Sequence, residues 1–205
     1  MDIYIVRHGE TVWNAKNLLQ GSTDIELNEY GRAVAGETGE NLEDVHFDKI
    51  YSSPLIRAYE TACLIRGHRN IPIIRDERLK ELCFGINEGK DFKKLLGDEN
   101  SPFHYFFKQP DQYRAPEHGE TLEHICERAA EFMTEVIEPQ VKNLERVMIV
   151  AHGAMNKALM CHVKQHDIAE FWSGGLQKNC NVIIVKYDGN KYEVVDETRI
   201  FYEEH

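Results

Sequence analysis

Residues 2–11 read DIYIVRHGET. Ile3, Ile5 and Val6 form a short apolar, β-branched run bounded by Gly9, so residues 2–7 are expected to be a buried strand. Its end carries reactive groups: Arg7 ends the run, and His8, Gly9, Glu10 and Thr11 follow with no spacer. Outward from this strand, Leu27–Asn28 begins a helix to about Leu42, with Asn28 as N-cap. DKIYS at 48–52 reads as a second strand, and Pro54 opens a helix through about Arg66. IPIIR at 71–75 reads as a third strand. Over 119–143, Leu122, Ile125, Ala129, Phe132, Met133, Val136 and Ile137 keep helical spacing and predict one long helix. VMIVA at 147–151 is apolar without alternation, as a strand buried on both faces should be, and a helix follows from Ala154 to about Val163. NVIIVKYDGNKYEVV at 181–195 reads as a hairpin turning at Asp188–Gly189. Strands alternating with helices predict an α/β fold, a three-layer α/β/α sandwich. The hairpin makes the mostly parallel sheet mixed.

The 205 residues suit a single domain able to bury a large core without disulfide or metal staples. The stretch 90–118 stands apart. It combines Lys90, Lys93, Lys94 and Lys108 with prolines and the aromatic cluster FHYFF at 103–107. We expect either a cap inserted over the site or a surface loop with an aromatic plug. The formal charge of −11 argues against nucleic-acid or anionic-membrane partners, and it repels anionic small molecules at long range. Any phosphate site must then be a local cluster of cations. MDIYIVRHGE lacks a basic stretch leading a long apolar run, and no apolar run reaches the roughly 20 residues of a membrane span. A cytoplasmic protein is expected. The five cysteines are scattered and form no C-x-x-C pair, which fits reduced thiols. His162 and His166 have i, i+4 spacing but no H-E-x-x-H context, so no metal site is expected.

In open α/β sheets, ligands bind beyond the carboxyl ends of strands. Three segments place reactive groups there: Arg7-His8-Gly9-Glu10-Thr11, Ser52-Ser53-Pro54-Leu55-Ile56-Arg57, and Ala151-His152-Gly153. One crevice would then hold two guanidinium groups and two imidazoles. Arginine forks match the charged oxygens of a phosphoryl group, and phosphoryl transfer is mostly positioning and charge stabilisation. Arg7, Arg57 and a protonated His152 would bind the phosphoryl group without a metal. His8, kept neutral by its cationic neighbours, would attack phosphorus and carry the group covalently. Gly9 would let the backbone approach the ligand closely. Glu81, set between apolar positions, is the candidate general acid for the leaving group.

The order R-H-G-E-T with Trp13 and Asn14, S-S-P-L-x-R-A with Thr61, L-x-E-x-x-F-G-x-x-E-G at 79–89, and A-H-G at 151–153 resembles the histidine phosphatase superfamily, the phosphoglycerate-mutase-like fold. The resemblance covers nearly the whole chain. It implies that His8 is the phosphorylated nucleophile, that Arg7, Arg57 and His152 form the phosphate pocket, and that Glu81 is the proton donor. It adds Asn14 and the Gln20-Gly21 loop as phosphate contacts, with Gly153 beside them, and it implies no cofactor and no metal.

Within that family, Gln20-Gly21-x-x-Asp24 looks like the phosphatase branch. Mutases carry an arginine directly after the proton-donating Glu, and here that position is Leu82. They also carry paired arginines in the insertion, where this chain has only Arg114. The expected activity is hydrolysis of small phosphate monoesters through a phosphohistidine. The alternatives are a cofactor-dependent phosphoglycerate mutase and a non-catalytic phosphate-ester binding protein. Oligomeric state stays open. Two departures are Glu26, where the family usually has Pro, and Lys157 beside Asn156, where an arginine is common.

Overall fold

In the computed structural model, which describes residues 1–203, one sheet holds β1 (Asp2–Arg7), β2 (Lys49–Ser52), β3 (Ile73–Arg75), β4 (Arg146–Ala151), β5 (Val182–Tyr187) and β6 (Tyr192–Arg199). Its order is β3-β2-β4-β1-β5-β6, with β1 to β4 mutually parallel and β5 and β6 antiparallel. The helices are α1 (Val12–Ala15), α2 (Glu29–Glu40), α3 (Ile56–Arg66), α4 (Phe92–Gly97), α5 (Leu122–Phe132) and α6 (Gly153–Lys164). The mixed α/β/α architecture is the one the sequence predicts.

The continuous apolar run of β4 fills both faces of the sheet, because successive side chains alternate sides. Val147, Ile149 and Ala151 join one core with α5 and α6 residues such as Ile125, Phe132, Met155 and Leu159. Met148 and Val150 join the other with Ala58, Ala62 and Ile65 of α3. The two central strands are paired so that Arg7 lies opposite Ala151. β2 lies against the other edge of β4, with Ser52 opposite Val150. This register brings His8, His152 and the Ser53–Arg57 turn together beyond one end of the sheet.

Two local expectations are corrected. Pro54 does not occupy the first turn of α3; Leu55 is its N-cap, and Asp24 accepts the Ile56 N–H at 2.7 Å from a distant loop. The long helix ends as α-helix at Phe132, widens into a π-turn over Met133–Ile137 and tightens into a 3₁₀ turn over Glu138–Gln140. Pro139 accounts for the break, since it lacks an N–H and its ring collides with the carbonyl four residues back. Gly9 also has a close neighbour within the fold. A Cβ there would lie 2.7 Å from the Gly31 carbonyl, so the strand-end turn packs directly against α2. Asn28 caps α2 as expected, accepting from Gly31 N–H at 2.7 Å.

Within 90–118, Phe103 and Phe106 are buried in the main core, in tilted and edge-to-face contact with Phe84, Phe92 and Tyr113. Arg114 turns back onto the carbonyls of Asp111 and Tyr113. The five cysteines are free thiols. No helix among the described residues is long and apolar enough to cross a membrane.

Candidate active site

His8 stands at the sheet end with its backbone fixed on both sides. Its N–H donates to Ala151 O at 3.0 Å, and its carbonyl accepts from Asn179 Nδ2 at 2.9 Å. The ring Nδ1 lies 2.7 Å from Gly9 O, a carbonyl that can only accept, so Nδ1 carries the proton. No described residue bonds Nε2, and its lone pair is the nucleophilic one. Burial first, then Arg57 and Arg7, hold this imidazole well below its usual pKa.

Arg57 is fully buried, and burial lowers it to about 10, still charged at neutral pH. Its Nη1 donates to Thr23 O at 2.9 Å and its Nη2 to Gly21 O at 2.7 Å. Thr61 ties this helix to the nucleophile's turn: its hydroxyl accepts Gly9 N–H at 2.9 Å and donates to Arg57 O at 2.7 Å. Arg7 donates through Nη1 to Gln177 O. The Nε atoms of Arg7 and Arg57 are buried without a partner among the described residues. Buried donors of this kind are costly unless a ligand uses them.

His152 is fully buried, its ring centroid 5.1 Å from that of His8. Its Nε2 lies 2.7 Å from Ser53 Oγ, and its Nδ1 is unpaired. Burial, Arg57 and His8 hold His152 well below its usual pKa, so it is neutral here. Glu81 reaches the site from the segment after β3. Its Oε1 accepts from Leu82 N–H at 2.9 Å and Met155 N–H at 3.1 Å, and its Oε2 from Ala154 N–H at 3.2 Å. The carboxylate therefore sits on the N-terminus of α6, where backbone donors and the helix dipole converge. A Cβ on Gly153 would lie 3.7 Å from Glu81 Oε2 and 3.8 Å from Arg7 Nε, so acid and guanidinium meet around that glycine.

A cleft of about 280 Å³ is lined by Arg7, His8, Asn14, Gln20, Gly21, Arg57, Glu81 and Gly153, all anticipated from the sequence. His152 lies behind the cleft wall. Asn14 Oδ1 accepts from Thr11, and Gln20 Oε1 accepts from the Thr11 hydroxyl at 2.8 Å. Gly21 contributes its carbonyl to Arg57. Among the described residues no group of three or more His, Cys, Asp or Glu converges to hold a metal ion.

Sequence reasoning missed the outer walls: Asn17, Leu18, Leu19, Phe84, Phe92, Trp172, Leu176 and Asn179. Asn156 and Lys157, noted in the sequence as a departure from the family pattern, pack behind the site. Asn156 Nδ2 donates to Gln177 Oε1 at 2.8 Å, and Lys157 Nζ donates to Ser173 O at 2.7 Å. Together they anchor the 173–179 loop whose Gln177 carbonyl holds Arg7. The Gly174-Gly175 pair was the signal available in the sequence for such a loop.

A fold with two guanidinium groups and a neutral, tautomer-fixed imidazole at the ends of its central strands defines a phosphoryl-handling α/β enzyme. The chain belongs to the histidine phosphatase superfamily (branch 1), whose model matches residues 3–198. It is 37% identical over 172 residues to a 2,3-bisphosphoglycerate-dependent phosphoglycerate mutase of Cytophaga hutchinsonii, covering 82% of this chain and 80% of that one. It is 30% identical to a putative phosphoserine phosphatase 2 of Hydrogenobacter thermophilus, covering 94% and 93%. The solved structure of Bacillus stearothermophilus YhfR superposes with a TM-score of 0.89 at 35% identity, covering 98% of each chain.

Proposed function

We propose that this phosphohydrolase cleaves small phosphate monoesters through a phosphohistidine at His8. The observation that carries the reading is the His8 ring. Its Nδ1–H is committed to Gly9 O, and Nε2 remains unbonded in a cleft lined by Arg7 and Arg57. The arginine forks bind the phosphoryl oxygens and neutralise them. Nε2 attacks phosphorus, the bond to the ester oxygen breaks, and Glu81, entering this step as the carboxylic acid, gives that oxygen its proton. Water then attacks the phosphohistidine, Glu81 takes the water's proton, and inorganic phosphate leaves with His8 restored. Once dianionic phosphate enters, its charge favours a proton on His152, which then adds positive charge behind the phosphoryl group.

Hydrolysis is favoured over mutase chemistry by the surroundings. Leu82 is fully buried in the main core, so the position after Glu81 offers no cation to the cleft. Lys90, Lys93, Lys94, Lys108 and Arg114 do not line it; its cations are Arg7 and Arg57. One phosphoryl group occupies both, leaving no further cation among the described lining residues for a second anion. The outer walls instead offer Phe84, Phe92, Phe106, Phe107, Trp172 and Leu176, with Asn14, Asn17 and Asn179 between them. This suits an uncharged leaving group with an apolar face, covered by the 90–118 segment. The test is alkaline-quench mass spectrometry after rapid mixing with p-nitrophenyl phosphate. Label on His8, with turnover abolished in His8→Ala, is expected; label elsewhere overturns the mechanism. Incubation with 3-phosphoglycerate should release phosphate or nothing, and rapid formation of 2-phosphoglycerate would return the mutase reading.

A further inference from the structure

Glu88 lines no part of the cleft, and the mechanism above does not use it. Yet its carboxylate takes five hydrogen bonds. Oε1 accepts from Ser22 N–H at 2.8 Å, Ser22 Oγ at 2.9 Å and Phe84 N–H at 3.0 Å. Oε2 accepts from Thr23 N–H at 2.9 Å and from the Thr23 hydroxyl. These donors hold Glu88 below the usual carboxylate range against the opposing effect of its burial.

The Ser22 N–H and the Gly21 carbonyl belong to one planar peptide unit. One edge of that plane donates to Glu88, and the other accepts Arg57 Nη2 at 2.7 Å. Thr23 lies between the same two side chains, through two successive peptides. Thr23 gives its N–H and hydroxyl to Glu88, and its carbonyl takes Arg57 Nη1 at 2.9 Å. The approach is so close that a Cβ on Gly21 would fall 2.1 Å from Glu88 Oε1, and Gly21 has φ +58°. Glu88 thus fixes the Gly21 carbonyl, which takes Nη2, through one peptide plane, and it tethers Thr23, whose carbonyl takes Nη1, at that residue's N–H and hydroxyl.

We propose that Glu88 is a positioning residue for phosphoryl binding, acting on Arg57 through the Gly21–Ser22 peptide. The inference rests on reading Arg57 as a phosphoryl-binding group. Removing the acceptors frees the 21–23 carbonyls to turn, and the fork loses its aim while keeping its charge. Affinity for phosphate should suffer more than the rate of chemistry on bound ester.

The experiment is a double-mutant cycle read by calorimetric titration of inorganic phosphate, with p-nitrophenyl phosphate kinetics alongside. Glu88→Gln keeps one acceptor oxygen and turns an amide donor toward at least one of the three N–H groups, of Ser22, Phe84 and Thr23, that need an acceptor. Phosphate affinity and KM should weaken about tenfold, as for a misdirected charged hydrogen bond, with a smaller change in kcat. Glu88→Asp, which keeps the charge at shorter reach, should fall between. Arg57→Lys has no fork to aim, so adding Glu88→Gln to it should change phosphate affinity less than twofold. Losses that multiply in the double variant would overturn the proposal, as would unchanged phosphate affinity in Glu88→Gln. If Glu88→Gln does not fold, the same cycle runs with Glu88→Asp. Failure of the underlying reading looks different: the unaltered protein then neither turns over p-nitrophenyl phosphate nor loses phosphate affinity in Arg57→Lys.

Discussion

His8 and His152 are imidazoles buried beside two guanidinium groups, and that arrangement has a consequence for stability. Both have native pKa values well below 6.5, while the unfolded chain binds their protons near 6.5. Above that pH neither state holds the protons, so the groups add no slope. Below it the unfolded state binds more protons than the native one, and stability falls as the pH falls. Each imidazole can add up to about 1.4 kcal/mol per pH unit in this window. Tm followed from pH 7 to 5 should therefore drop less steeply in His8→Asn than in the unaltered protein. Equal slopes would mean that native His8 accepts its proton normally. Glu81 invites a test of its own. Glu81→Gln should slow phosphorylation of His8 by alkyl phosphates by about 10²–10⁴-fold, and by p-nitrophenyl phosphate far less, because p-nitrophenolate leaves without a proton. Single-turnover rates separate this step from hydrolysis, and equal losses for both esters would remove Glu81 as the leaving-group acid. These residues were legible because each strand end is followed directly by chemistry: Arg7-His8, Ser53 to Arg57, His152-Gly153. Glu88 was quoted as part of a motif but given no role, since its action passes through a peptide plane that only the folded loop defines.

Strands β1 and β4 were readable to within a residue because their apolar runs are continuous, and the hairpin because Asp188–Gly189 marks its turn. The helices were less so. Apolar spacing carried the 119–143 segment past Phe132, but spacing does not register the ring of Pro139. At α3 the proline suggested a start that Asp24, a residue from another loop, relocates to Ile56. The 90–118 segment poses the larger question at this scale. A detachable flap and a built-in wall share the same composition, and they differ in whether their aromatics are core. Phe103 is 0% and Phe106 is 1% exposed. Truncating either to Ala should cost about 3–5 kcal/mol by denaturant unfolding, the range for a buried Phe. Phe107, half-buried on the cleft wall, should cost less and instead alter preference among esters with apolar leaving groups. A cost below about 1 kcal/mol for Phe103→Ala would mean that the segment opens as a unit without unpacking the core.

At the scale of the whole molecule, the net charge of −11 and the function pull in opposite directions. A phosphate dianion approaching from bulk meets a repulsive field, and only inside the cleft does it meet Arg7 and Arg57. The two effects differ in range, which makes them separable. Repulsion from the surface acts over distances that salt screens, with a Debye length of about 30 Å at 0.01 M falling to about 8 Å at 0.15 M. Contacts with the buried forks act at a few ångströms in a site that salt screens far less. Adding sodium chloride, which supplies no competing phosphate, should therefore raise kcat/KM for a dianionic ester, roughly twofold across that range. kcat should stay nearly constant, because the bound ester no longer feels the long-range term. The rise should shrink at pH values where the ester is a monoanion. A fall in kcat/KM with salt would show instead that the field at the cleft mouth is already positive, so that the arginines project beyond the walls enclosing them. In that case the anionic exterior would lie on the far side of the sheet and play no part in substrate capture.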